Sequence, residues 1–145
     1  MKKILKLLAL SVLTFVICFS SIACSSYSKL EKTIKNLGYE KARATDIVKE
    51  EENDAAVNVK IHVFKKGLIA KVWIVEFNDI EDIKTFVLES DTAQMWIENI
   101  NEDGTDKEYY NKLVDAGYAN GNCLVIPLSI DVNECVEVKN AVKKA

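Results

Sequence analysis

Along the chain, apolar and polar positions alternate in two distinct periods, and these mark out the elements. Leu30, Ile34 and Leu37 recur at helical spacing, and this stripe predicts a helix with Ser28 at its start and Gly38 at its end. Residues 40–55 are mostly polar; Ala44, Asp46 and Val48 are compatible with a short strand, and Glu50–Asp54 with a solvated loop. Val57, Val59, Ile61 and Val63 then alternate with Asn58, Lys60, His62 and Phe64, the period of a half-buried strand. Lys65-Lys66-Gly67 reads as a turn, and Leu68–Phe77 as a second strand, apolar on both faces at Val72–Val75. Together they predict an antiparallel hairpin over about 56–65 and 68–77.

Past the hairpin the helical period returns. Ile80, Ile83, Phe86 and Val87 form a stripe opened by Asn78 with Glu81 three residues on. Residues 92–100, with Met95, Trp96 and Ile100, leave helix and strand both open, with the balance slightly toward a strand or loop crossing the sheet. Thr105 with Glu108 opens a helix carrying Tyr109, Tyr110, Leu113 and Val114, closed by Gly117. Asn120-Gly121 is a tight turn, Cys123–Leu128 a short strand with Pro127 suggesting an edge, and Asp131 with Glu134 caps a final helix. Leu37-Gly38-Tyr39 and Ala116-Gly117-Tyr118 echo one another as helix stops, without amounting to a repeat. The order predicts a small single α+β domain: an antiparallel sheet built on the central hairpin, with helices packed on one face.

The first residues follow another logic. Lys2, Lys3 and Lys6 precede an apolar run, Leu7–Phe19, broken only by Ser11 and Thr14, and then the small residues Ser20, Ser21 and Ala23. This is the three-part layout of a secretory signal peptide. The run of 13 residues falls short of the roughly 20 that a permanent spanning helix needs. Ser21-Ile22-Ala23-Cys24 resembles the lipobox of bacterial lipoproteins, although leucine is usual where Ser21 stands. The resemblance covers only this junction. It implies cleavage before Cys24, a diacylglyceryl group on its thiol, and a domain anchored on the extracytoplasmic face of the cell membrane. A conventional secretory cut, giving a secreted domain without lipid, is the alternative. The expected organisation is a signal peptide over 1–23, the lipidated cysteine with a short tether over 24–28, and the domain over 29–145.

Charge narrows the partners. The chain has 19 basic and 22 acidic residues, and the leader holds three of the basic ones and no acid. The remainder, 16 against 22, carries a net charge near −6. That argues against nucleic acid, which needs a basic face, and against a polybasic membrane-surface patch.

Candidate chemistry is sparse. His62 is the only histidine and shares a strand face with Asn58 and Lys60, with no base partner evident. One histidine and two remaining cysteines make no zinc site, so no metal or cofactor is expected. Cys123 and Cys135 are candidates for a disulfide in an exported protein, or for two buried thiols. The acidic runs at 50–54 and 101–106 lack the spacing of a calcium loop. Trp73, Trp96 and Tyr118 read as core, whereas Tyr109 and Tyr110, being adjacent, cannot share one helix face. One of that pair is expected at the surface as a possible contact. Two functional classes follow: an anchored binding or interaction module for a protein or cell-envelope ligand, and a small exported enzyme using carboxylates, for instance Glu76 with Asp79 or Asp82.

Overall fold

The computed structural model describes residues 25–145. The leader and Cys24, with the signal-peptide and lipid-attachment expectations that rest on them, lie outside the described residues. The elements run α1 (Ser26–Asn36), β1 (Glu40–Lys41), β2 (Asp46–Val48), a 3₁₀ turn (Glu50–Glu52), β3 (Val59–Lys66), β4 (Ala70–Phe77), α2 (Asp82–Glu89), α3 (Asp91–Trp96), α4 (Asp106–Ala116), β5 (Ala119–Asn120), β6 (Cys123–Leu128) and α5 (Val132–Lys144). The protein is a small single α+β domain on an antiparallel sheet, as the periodicity predicts.

The six-stranded sheet has the order β1-β3-β4-β6-β5, with β2 also on β3. The hairpin register runs from Val59 opposite Phe77 to Lys66 opposite Ala70, so its pairs are symmetric about Leu68. On the far side of β4 lies β6, pairing from Lys71–Leu128 to Glu76–Cys123. β4 is therefore central, which its apolar residues on both faces require. Pro127 has its expected place: β5 pairs with β6 only at Leu124 and Cys123, leaving the outer side of β6 beyond them without a strand.

Helices cover both faces of the sheet, correcting the expectation of one. On one face Val59, Val75, Phe77, Leu124 and Ile126 pack with Ile83, Phe86 and Val87 of α2, Ala93 of α3, and Tyr109 and Leu113 of α4. On the other, Phe64, Val72, Ile74, Cys123 and Val125 pack with Leu30 and Ile34 of α1 and Val138 and Val142 of α5. The cause is the strands themselves: β4 and β6 are apolar at successive positions, so a single helical layer would leave half of those side chains in water. Each fully buried Leu, Ile or Phe among them contributes roughly 1.5–3 kcal/mol.

Three helix starts differ in detail from the pattern. α1 is capped by Ser25, whose Oγ accepts from Ser28 N at 3.3 Å. Ser28 thus belongs to the first turn, and the residues expected as a tether are the cap and opening turn of α1. For α2, Asn78 gives way to Asp79, whose Oδ1 accepts from Glu81 N at 3.2 Å. Residues 91–96, expected as strand or loop, form α3, capped by Ser90 Oγ accepting from Ala93 N. Six residues are too few for a helical period to stand out from sequence. The Thr105–Glu108 box on α4 forms as predicted, Thr105 N donating to Glu108 Oε2 at 2.6 Å.

Candidate functional site

Side-chain chemistry converges in two places. The first lies on the α1 face of the sheet. Alternation along β3 turns His62 to the same side as Phe64, and the hairpin register brings Glu76 opposite Lys60 and diagonal to His62. His62 Nε2 is 3.2 Å from Glu76 Oε2, and Nδ1 is 2.9 Å from Thr45 Oγ1. Lys41 Nζ donates to Thr45 Oγ1 at 3.1 Å. The Tyr27 ring, from the first turn of α1, stacks on the imidazole at 3.7 Å and 21°. The ring is only 5 % exposed.

The arrangement favours the tautomer protonated at Nε2. Thr45 Oγ1 accepts from Lys41, so its own hydrogen is available to Nδ1; the neutral ring then carries its proton on Nε2 and donates it to Glu76. Burial lowers the His62 pKa from 6.5, outweighing the hydrogen bond to Glu76, and the Lys41 charge acts in the same direction as burial. Next along the row, burial and then Glu76 push the Cys123 thiol up to about 12. Burial, with Glu31 second, raises Tyr27 to about 12.

Thr45, His62 and Glu76 stand in the order of nucleophile, base and orienting acid. Tyr27 lies over the ring, and the three best-formed cavities among the described residues are lined by none of the three. The sequence held a usable signal for this cluster, because a hairpin turn centred on Leu68 sets Glu76 beside His62.

The other sequence candidates separate. Glu76 is occupied by His62 and by Lys60, whose Nζ lies 3.9 Å away, whereas Asp79 is spent on the backbone ahead of α2. They do not build a paired-carboxylate site. Cys123 and Cys135 are both free. Cys123 begins β6, and Cys135 Sγ donates to the Pro127 and Ser129 carbonyls at its other end. Four residues of strand, about 13 Å at 3.3 Å each, separate those ends, so the disulfide geometry is absent. Tyr109 is buried, and Tyr110 is half-buried with its hydroxyl donating to Gly121 O at 2.9 Å. Neither is the freely exposed contact residue expected.

Tyr109 instead helps to line the second place, a cleft of about 780 Å³ between α2, α3, α4 and residues 97–102. Val87, Leu88, Ile97 and Tyr109 form an apolar floor, and Gln94, Glu98, Asn99, Asn101 and Glu102 a polar rim. The rim is held from behind. Lys112 Nζ donates to the Asn101 and Asp103 carbonyls, both at 3.1 Å, and Lys84 Nζ to the Gly104 carbonyl at 3.1 Å. Glu98 pairs with Lys139 at 2.7 Å, and its N–H donates to the Tyr118 hydroxyl at 3.2 Å. Residues 101–105 form the exposed loop that the sequence predicts; that Asn101 and Glu102 also border a cleft leaves no trace in the periodicity. Away from both places, Leu68, Ile69, Ile130 and Val132 are exposed at the hairpin-tip end.

Among the described residues, no three His, Cys, Asp or Glu side chains converge as metal ligands. Nor, among them, is any helix long and apolar enough to cross a membrane. No protein-family model matches the chain, and neither a curated protein nor a solved structure matches it. The class rests on the fold alone: an α+β domain with an antiparallel sheet between two helical layers.

Proposed function

We propose that the chain is an extracytoplasmic lipoprotein, held at the membrane through Cys24, whose domain is a binding module with the cleft beside Tyr109 as its ligand site. The cleft carries the binding reading. Its volume, about 780 Å³, falls within the roughly 300–1,000 Å³ usual for ligand pockets, and its lining joins apolar side chains to a larger polar share. Its rim of carboxylates and amides suits a ligand with hydroxyls or an amine on one side and an apolar face on the other. The anchor reading rests on the leader and the lipobox-like junction. With Ser25 already capping α1, a lipid on Cys24 would hold the domain close against the bilayer.

Intact mass of the protein from its native membrane fraction tests the anchor. The expected mass corresponds to cleavage before Cys24 plus a diacylglyceryl group, lost in Cys24→Ala. Unlipidated protein in the medium overturns it. Amide chemical shifts recorded with amino sugars, sugar acids and free amino acids test the cleft. Binding should move signals from 97–102 and Tyr109, and Glu102→Gln should weaken it. Shifts confined to other surfaces overturn that assignment. The carboxylate-enzyme alternative has no comparable support, because Glu76 is committed to His62 and Lys60.

A further inference from the structure

α1 is fixed to the sheet in two ways. Its middle is fixed by burial of Leu30 and Ile34. Its first turn is fixed by Tyr27, which lies on the His62 ring with its hydroxyl accepting from Lys41 Nζ at 3.4 Å. We propose that His62 is a proton-operated clasp on the first turn of α1: the neutral ring holds Tyr27 against the sheet, and protonation of the ring releases it.

The hydrogen-bond order gives the reason. In the neutral state every polar atom of the row is used: Lys41 donates to Thr45, Thr45 to Nδ1, and Nε2 to Glu76. A second proton can enter only at Nδ1. There it points at an oxygen that already faces the Lys41 ammonium, and the Thr45 hydroxyl hydrogen loses its acceptor. The groups around the ring are Tyr27 and Glu31 from α1, Lys41 from β1, Thr45, and Glu76 from β4, with Lys60 from β3 and Cys123 from β6 beside Glu76. Glu76, Glu31 and the π face of Tyr27 favour a charged ring; burial and Lys41 oppose it, and burial is the largest influence. Lifting Tyr27 admits water to the imidazolium and removes that largest cost. Protonation and opening are therefore coupled, and the proton shifts the population toward the open first turn.

His62 is the only histidine in the chain, so a nuclear magnetic resonance titration of the full chain reports one imidazole. Its midpoint should lie below the ordinary value of 6.5. Hydrogen exchange of the Ser28 and Lys29 amides of α1, both of which donate to Ser25, corrected for the intrinsic pH dependence, should rise about tenfold through that midpoint, whereas α5 should not respond. His62→Gln should abolish the step. Tyr27→Ala, which uncovers the ring, should raise the midpoint toward 6.5, and it stands in should His62→Gln fail to fold. A midpoint at or above 6.5, a first-turn response equal in His62→Gln and the parent, or a midpoint unmoved by Tyr27→Ala overturns the clasp.

Discussion

At the scale of single residues, the sharpest constraint is Gly117. It ends α4 at φ +84°, and a Cβ there would lie 2.4 Å from the backbone oxygen of Lys139 on α5. The neighbour is backbone and cannot swing aside. Gly117→Ala should therefore cost about 2 kcal/mol or more, from left-handed strain and the clash together. Gly67, at φ +64° with open space around it, provides the control: Gly67→Ala meets only the strain and should cost about 1 kcal/mol. Urea denaturation of both variants checks the pair, and equal losses would show that the contact with α5 is unimportant. The glycine stop after α4 was legible in the chain, because a left-handed cap is a local demand. The α5 backbone against it was not, since nothing near residue 117 records what packs there. The same holds for Cys123 and Cys135, whose short separation in sequence concealed the length of β6 between their sulfurs, and for Tyr110, whose hydroxyl finds the Gly121 carbonyl.

At the scale of elements, local rules decided more. The hairpin grows from a local turn, the Thr105 box and the Asp131 cap rest on contacts two or three residues apart, and each stands where the pattern put it. α3 escaped because it spans less than two turns, and the helices' division between two faces escaped because periodicity shows that a strand is apolar on both sides without saying which helix covers which. Thr105→Ala removes an accepted hydrogen bond from Glu108 N and should cost about 1 kcal/mol, read as a lower denaturation midpoint with unchanged slope. The cleft rim depends on longer reach. Lys112 bridges the Asn101 and Asp103 carbonyls from α4, so Lys112→Met frees both without disturbing the apolar floor. Limited proteolysis should then cut within 99–104 faster than in the parent while global stability changes by less than about 1 kcal/mol. An unchanged cutting rate would mean that the rim is held by something other than this lysine.

For the whole molecule, the shifted groups together define a stability window in pH. On the acid side, His62 has its pKa lowered by burial. The unfolded chain therefore takes up this proton first, and the stability due to the neutral ring is complete above 6.5 and declines as pH falls below that value. Glu108, lowered by its hydrogen bonds to Thr105, adds a loss once pH drops below 4.5 and through its folded value. On the alkaline side, Cys123 is raised from 9.0 to about 12 and Tyr27 from 10.0 to about 12, both chiefly by burial. Here the unfolded chain ionises first, so stability declines as pH rises above 9 and further above 10. Lys139, raised through its bonds to Glu98 and Tyr118 against opposing burial, holds its contribution below 10.5 and loses it as pH climbs through its folded value. His62 and Glu108 erode stability as pH falls, and Cys123, Tyr27 and Lys139 erode it as pH rises, so together they bracket a plateau between 6.5 and 9. Urea midpoints across that range should be flat and fall on either side. The two limbs have different owners, so they should separate under mutation. His62→Gln should flatten the fall between 6.5 and 4.5 and leave the alkaline limb alone, whereas Cys123→Val should delay the alkaline fall from 9 to about 10. A plateau centred well below 6.5, or limbs that move together in both variants, would show that the pH response belongs to the net charge of the domain and not to these buried groups.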